Sequence, residues 1–288
     1  MSRELAVVTG ASGGIGEQIA AGLARTGATV VLVARDRGRL NAARERIAGA
    51  VPGADLETEP VDLADLAAVG ALADRLGERV PSIVVSNAAV IAPLDDRTPD
   101  GLHRTLVTNH LAPYLLLRRL AERPTTAPRR FVVVGGSPRG LARVPIDPGD
   151  LDPGNGRGLG WPPSFRPFTA YAHTKNMNAM FVYGLASKLA GTRTTVNGAH
   201  PGIIKGGRLN RHDRGALKVF GSLCGLFAAG TATGADTPLW LATADEVEDV
   251  TGRFFVKRRA VETAPHTTAP ERVERLWRES ARLVGLPA

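Results

Sequence analysis

The chain holds one cysteine, Cys224, among 288 residues. It can form no internal disulfide, which fits a reducing compartment. No apolar run reaches the roughly 18 residues that mark a membrane-spanning helix. The opening stretch MSRELAVVTG lacks an apolar leader with a cleavage site, so a cytoplasmic location is expected rather than secretion. Aromatic residues are scarce at 5 %. The excess of Lys and Arg (36 against 28 acidic residues, net +8) is spread along the chain rather than gathered in one run. Scattered charge with few rings to stack on bases argues against a nucleic-acid partner. There is no internal repeat, no dividing linker and no expected metal site.

What is present is strand–helix alternation. Apolar, β-rich runs at Leu5–Thr9, Thr29–Ala34, Leu56–Pro60, Ile83–Ser86, Arg130–Gly135, Thr194–Ala199 and Gly252–Val256 predict strands. Helical spacing of apolar residues covers Ile15–Thr26, Gly38–Ala48, Leu63–Gly77, Pro99–Ala121 and Tyr171–Leu189. This alternation predicts an α/β architecture: a doubly wound parallel sheet of about seven strands with helices on both faces, built by residues 1–288 as one domain. Two insertions break the rhythm. Residues 138–168 carry seven Pro and six Gly, and residues 201–234 are Gly-rich. Both follow strands, so both are expected over the carboxyl edge of the sheet, where ligands bind.

Residues 9–16 read TGASGGIG, directly after the first strand. Gly10, Gly14 and Gly16 let the backbone turn tightly and approach a ligand closely. The helix start behind them presents free N–H groups and a positive dipole end, suited to a pyrophosphate. The same letters satisfy the hydrolase elbow G-x-S-x-G, which would make Ser12 a nucleophile. That elbow sits at the top of an already built sheet, and here one strand precedes it, so the phosphate reading is preferred.

Residues 171–175 read YAHTK and are expected to open a helix, with Tyr171 and Lys175 on one face. A free phenol, with a pKa near ~10, relays protons poorly at neutral pH. An ammonium beside it favours the phenolate, and bringing the pKa to ~7 needs roughly 4 kcal/mol. His173 lies between them on another face and is read as structural. Earlier in the chain, Thr98 and Pro99 predict the cap and first residue of a helix. Inside it, Pro113 has no N–H for the Asn109 carbonyl, so a kink and a carbonyl free to hold a water are expected. The fifth strand ends FVVVGGSPRG, where Ser137 is the first hydroxyl.

Together these motifs resemble the short-chain dehydrogenase/reductase family over nearly the whole chain. TGASGGIG matches its T-G-x-x-x-G-x-G cofactor turn, and SNAA matches its N-A-G segment with Ala89 in place of the glycine. HPGII, residues 200–204, matches its P-G segment beside the nicotinamide. GADTPLWLATADEVEDVTGRFF and RLWRES are similar to the retinol-dehydrogenase-like branch. The resemblance implies a single-domain Rossmann fold. It also implies an oxidoreductase that moves hydride between a nicotinamide and a carbonyl or alcohol carbon of a small molecule, as a ketoreductase or alcohol dehydrogenase. In that family Tyr171 would exchange the substrate proton, Lys175 would tune it together with an oxidised nicotinamide ring and hold the nicotinamide ribose, Asn109 would hold a relay water, and Ser137 would polarise the carbonyl. Ser137 to Gly140 fits the family's S-x-x-G, whereas counting from the strand start puts the family serine on Gly136; both stay open. Asp62 matches the residue that holds the adenine amino group, and Asn87 the one that braces the sheet. The implied cofactor contacts are Gly10, Ser12, Gly14, Ile15, Gly16, Arg35, Asp62, Leu63, Asn87, Ala88, Tyr171, Lys175, Pro201, Gly202 and Ile203. Dimers or tetramers are the implied assembly.

The second strand ends VVLVAR. NAD-binding sites use a carboxylate here to accept from the ribose 2′-hydroxyl. Ala34 stands at the position where NAD-specific members of the family carry Asp. Arg35 follows, able to grip a 2′-phosphate bidentately, with Ser12 adding a hydroxyl. NADP(H) is therefore the expected cofactor, and Asp36 is the partner Arg35 would have as a plain surface residue. Trp161, Phe165, Phe168, Leu217, Phe220, Leu223, Leu226 and Phe227 in the insertions either surround a bulky apolar substrate (a retinoid-like, steroid-like or polyketide ketone) or pack the loops down. Ile203-Ile204-Lys205-Gly206, where the family has Thr after the P-G pair, keeps a second reading open: an NADP-binding sensor or non-redox member of the same fold.

Overall fold

β1 (Leu5–Thr9) pairs in parallel with β2 (Thr29–Ala34) on one side and β4 (Ile83–Ser86) on the other, with Val7 opposite both Val31 and Val84. Strands this apolar along their length are buried on both faces. The computed structural model describes residues 3–138, 145–152, 158–202 and 230–288. With β3 (Asp55–Pro60), β5 (Arg129–Val134), β6 (Thr194–His200), β7 (Arg253–Val256) and β8 (Arg259–Val261), the sheet runs β3-β2-β1-β4-β5-β6-β7-β8. The order reverses between β1 and β4, which opens a crevice at their carboxyl ends.

Among the described residues the sheet has eight strands, one beyond the sequence expectation. The extra strand, β8, is antiparallel to β7 across the two-residue turn Lys257-Arg258. Both turn residues have positive φ, 51° and 60°. Such a turn is normally signalled by Asn-Gly or Asp-Gly, and two cations conceal it.

Alternation along the strands divides the core into two layers. Ala6 and Val8 face α1 (Gly14–Arg25), α2 (Arg37–Ala50) and α7 (Thr231–Thr243), among Ile19, Leu23, Leu40 and Leu241. Val7, Val31 and Val33 face α3 (Leu66–Gly77), α5 (Ala112–Ala121), α6 (Arg166–Lys188) and α9 (Pro270–Leu283), among Leu72, Tyr114, Phe181 and Trp277. A single turn, α8 (Pro265–Thr268), leads into α9. Among the described residues no helix is long and apolar enough to cross a membrane.

Several expected boundaries are corrected. Thr98-Pro99 does not start a helix. Gly101, at φ 77°, closes a turn by donating its N–H to Thr98 O, and the helix begins later as α4 (Arg104–Leu106). It then widens into a π turn, Val107–Leu111, before α5. Pro113 accounts for the irregularity, since it offers Asn109 no backbone N–H. The Asn109 carbonyl is not left open to water alone, because Asn178 Nδ2 donates to it at 2.9 Å. α3 starts at Leu66 behind its cap Asp65, so Leu63 lies before it. α6 starts at Arg166 with Pro167 in its first turn, so the expected insertion 138–168 ends in helix and Tyr171 sits in the second turn. α7 likewise starts inside the expected insertion 201–234, of which residues 203–229 lie outside the described residues.

Phe254 on β7 lays its ring against Gly135 and Gly198, so a Cβ on Gly198 overlaps that ring. Gly198→Ala is expected to lower stability by about 1–3 kcal/mol through overpacking, read as a lower urea midpoint. An unchanged midpoint contradicts this packing. Burial also pushes His110, His173 and His200 down to about 4. An unfolded histidine titrates near ~6.5, so between ~6.5 and about 4 the unfolded chain binds more protons than the folded one. The stability these rings contribute is present above ~6.5 and lost as the pH falls through that window. The urea midpoint is therefore expected to drop between about pH 7 and about pH 5, and equal midpoints contradict it.

Candidate active site

The glycine turn is built around contact with β4. Thr9 Oγ1 accepts from the backbone N–H of Asn87 (3.0 Å) and Ala88 (3.1 Å), and Asn87 Nδ2 donates back to Thr9 O at 3.0 Å. These bonds fasten the ends of β1 and β4 at the crossover. Gly10, at φ 70°, lies so close that a Cβ there would come 2.9 Å from Ala88 Cα, and a Cβ on Gly16 would strike Gly10 O. Gly14, at φ 63°, has none of the described residues within 4 Å of a built Cβ. The cap of α1 is Gly13, which supplies no side-chain acceptor to the first-turn N–H groups. An open cradle in front of uncapped N–H groups fits the pyrophosphate of a dinucleotide. Ser12 and Ile15 flank it, both partly buried.

Arg35 leaves the end of β2 with 68 % of its side chain exposed. Among the described residues the carboxylate within 4.0 Å of it is that of Asp62, not Asp36. Asp36 instead caps α2, accepting from Arg39 N at 2.9 Å. Asp62 accepts from Ala64 N at 3.0 Å and lies 3.6 Å from Arg104 Nη1. Leu63 buries its side chain in the core, which leaves its backbone for any ligand contact.

Across the crevice, α6 brings Tyr171 and Lys175 to the end of β5. Lys175 is only 4 % exposed, and its Nζ donates to Val134 O at 3.0 Å. The ammonium is 5.4 Å from the Tyr171 ring centroid, and Phe168 packs on that ring at 5.9 Å. Desolvation pushes Lys175 down to about 8 and Tyr171 up to about 12. In the protein alone, burial outweighs the ammonium at the phenol, and the ammonium is turned to a backbone carbonyl. His173 is buried and its Nε2 meets no partner among the described residues, in keeping with a structural role.

Asn109 is 1 % exposed, and its side chain is fully engaged. Oδ1 accepts from Val90 N at 2.8 Å, while Nδ2 donates to Val90 O at 2.9 Å and Thr174 Oγ1 at 3.2 Å. Gly136, Ser137 and Pro138 line a small cavity with Lys175, Phe254 and Thr263, and Tyr171 is not in its lining. Pro201 and Gly202 (φ 86°) follow β6, and Ile203 lies outside the described residues, as do Leu217, Phe220, Leu223, Leu226 and Phe227. Trp161 is exposed, and Phe165 and Phe168 are partly buried.

Two residues in this region escape the sequence reading. His200 ends β6 with a buried Nδ1 that meets no partner among the described residues, and its pKa is held down first by burial and then by the charge of Lys175. Its signal was its position directly before Pro201-Gly202. Asn178, seven residues after Tyr171, had none, because its partner is a carbonyl on another helix.

The chain matches the short chain dehydrogenase family profile over residues 4–144. It is 34 % identical over 285 residues to dehydrogenase/reductase SDR family member 13 of Bos taurus, covering 98 % of this chain and 73 % of that protein. Retinol dehydrogenase 13 of Homo sapiens is 30 % identical over 292 residues, with 98 % and 85 % covered. An uncharacterized protein from Mycobacterium Paratuberculosis has the same fold, with a TM-score of 0.75 at 24 % identity over 100 % of this chain and 96 % of that one. A short chain dehydrogenase from Burkholderia cenocepacia, in complex with NADP, gives a TM-score of 0.65 at 26 % identity over 88 % and 95 %. With the glycine cradle and the Tyr171–Lys175 pair at opposite lips of one crevice, and relatives of this identity along its length, the chain belongs to the short-chain dehydrogenase/reductase family, in its retinol-dehydrogenase-like branch.

Proposed function

We propose that the protein is an NADP(H)-dependent oxidoreductase acting on a bulky apolar carbonyl compound or its alcohol. The observation that carries this reading is the buried Lys175 ammonium, one helical turn from Tyr171 and fixed at the carboxyl end of β5. A bound nicotinamide supplies or takes the hydride at its C4.

The protein's own groups handle the proton. A phenol pushed up to about 12 is protonated at neutral pH, the form a general acid needs in reduction. Tyr171 gives that proton to the carbonyl oxygen as charge develops there. Lys175 spends one N–H on Val134 O and has two more for ribose hydroxyls. As an adjacent cation it also favours the phenolate left behind. Asn109 keeps one carbonyl lone pair beyond the Asn178 bond, on which a relay water is held. Ser137 or the Gly136 N–H, both at the strand end that Lys175 reaches, is assigned to polarise the carbonyl on the family resemblance.

For the cofactor, Ala34 offers no carboxylate to a ribose 2′-hydroxyl, and Arg35 stands exposed with Asp62 no nearer than 4.0 Å. The NADP complex of the Burkholderia cenocepacia relative supports the same choice. The name retinol dehydrogenase on a relative, and the aromatic residues near the entrance to α6, support a large apolar substrate.

NADPH is expected to bind more tightly than NADH, and Arg35→Ala to cost about 10–100-fold in NADPH affinity with little change for NADH. Fluorescence titration checks this, and tighter NADH binding overturns the cofactor assignment. Tyr171→Phe is expected to lower turnover of a ketone and aldehyde panel by about 10²–10⁴-fold while NADPH affinity stays within a few-fold of wild type. Retained turnover in that variant removes Tyr171 from the chemistry and favours a cofactor-binding protein without this redox step.

A further inference from the structure

A directed chain of hydrogen bonds runs from the C-terminal helix to the residue that carries the phenol. On α9, Ser280 Oγ lies 2.8 Å from His110 Nε2. His110 Nδ1 lies 3.2 Å from Asn178 Oδ1, and Asn178 Nδ2 donates to Asn109 O at 2.9 Å. Asn109 Nδ2 donates to Thr174 Oγ1 at 3.2 Å, and Thr174 Oγ1 donates to Tyr171 O at 2.7 Å. All five side chains are at most 3 % exposed.

The direction of the first three bonds follows from the backbone carbonyl of Asn109, and that of the last two from the Val90 N–H on Asn109 Oδ1 and the Tyr171 carbonyl. A carbonyl only accepts, so the amide nitrogen of Asn178 faces it and the amide oxygen faces His110. That oxygen needs a donor, so Nδ1 carries the imidazole proton and Nε2 keeps the lone pair. Nε2 then accepts from the Ser280 hydroxyl. Burial keeps the ring neutral, with its pKa down to about 4. From Ser280 to the Asn109 carbonyl each donor polarises the next, which stiffens that stretch.

We propose that Ser280, His110 and Asn178 are positioning residues for the reaction, holding the π turn at Asn109 and, through Thr174, the turn of α6 that carries Tyr171 and Lys175. This rests on the redox reading above. The π turn is the weak point of its helix, since Pro113 withholds the N–H that would close it. Asn178 supplies the substitute donor from α6 itself, so the catalytic helix and the broken helix are joined at that break. Asn109 extends the same hold to Val90, just beyond the glycine-turn brace at Asn87. Three segments that must keep register around one crevice are thereby fixed by one set of bonds.

His110 provides the discriminating test, because its ring packs against Tyr114 and Phe181. His110→Phe keeps an aromatic ring and carries no polar atom. His110→Gln loses the ring, but its amide can donate to Asn178 and accept from Ser280. Both are compared with wild type in full-length protein for kcat and KM on the ketone panel, NADPH affinity and Tm. A positioning role predicts that His110→Gln keeps kcat within about fivefold while His110→Phe loses about 10–100-fold, with NADPH affinity held and kcat not following Tm. Ser280→Ala, a small change at the far end, is expected to lower kcat about threefold to tenfold and serves if His110→Phe does not fold. Wild-type turnover with kcat unchanged in His110→Phe and Ser280→Ala, or with kcat tracking Tm, overturns the positioning role alone. A wild-type protein that binds NADPH and reduces no member of the panel overturns the redox reading, and this inference with it.

Discussion

A cation held out of water at the end of β5 is the constraint around which the crevice is arranged. Lys175 is 4 % exposed, and its ammonium rests on the Val134 carbonyl. Burying a charge this far is costly unless its donors find acceptors, and the cost appears as a pKa pulled down to about 8. At neutral pH the group is still mostly charged, so its surroundings must tolerate that charge. They do so by staying neutral: Tyr171 keeps its proton, and His200 is held unprotonated partly by Lys175 itself. The helix that carries the lysine is tied on its other side to Asn109 and to α9. A local change in any of these elements is therefore felt at one ammonium.

Much of this was legible in the chain because it depends on local rules. Three glycines behind an apolar strand announce a turn that must pass close to another backbone, and Gly10 and Gly16 do pass close to Ala88 and to each other. A phenol and an ammonium four residues apart share a helix face wherever that helix lies. Uninterrupted valine runs such as VVLV mark strands covered on both faces. The glycine cradle and the Tyr171–Lys175 pair followed from those features.

What escaped the sequence depends on partners distant in the chain. Thr98-Pro99 has the letters of a helix start, but Gly101 turns the chain first and the helix waits until Arg104. That the Lys175 ammonium rests on the Val134 carbonyl was not legible either, because that carbonyl lies on a strand 41 residues earlier. Asn178 carries no motif and Ser280 enters only as the last letter of RLWRES, since their roles lie in a carbonyl and an imidazole on another helix. The C-terminal helix entered the sequence reading only through the letters RLWRES. In the structure it supplies Trp277, whose carbonyl accepts from Tyr114 at 2.8 Å and whose ring lies 4.6 Å from the Arg118 guanidinium.

The most direct test of the account is a crystal structure of the protein grown with NADP⁺. The account predicts the pyrophosphate in front of Gly14 and the first turn of α1, the 2′-phosphate on the Arg35 guanidinium, and ribose hydroxyls within hydrogen-bond distance of Lys175 Nζ. A dinucleotide bound with its ribose out of reach of Lys175, or with the 2′-phosphate away from Arg35, would contradict it.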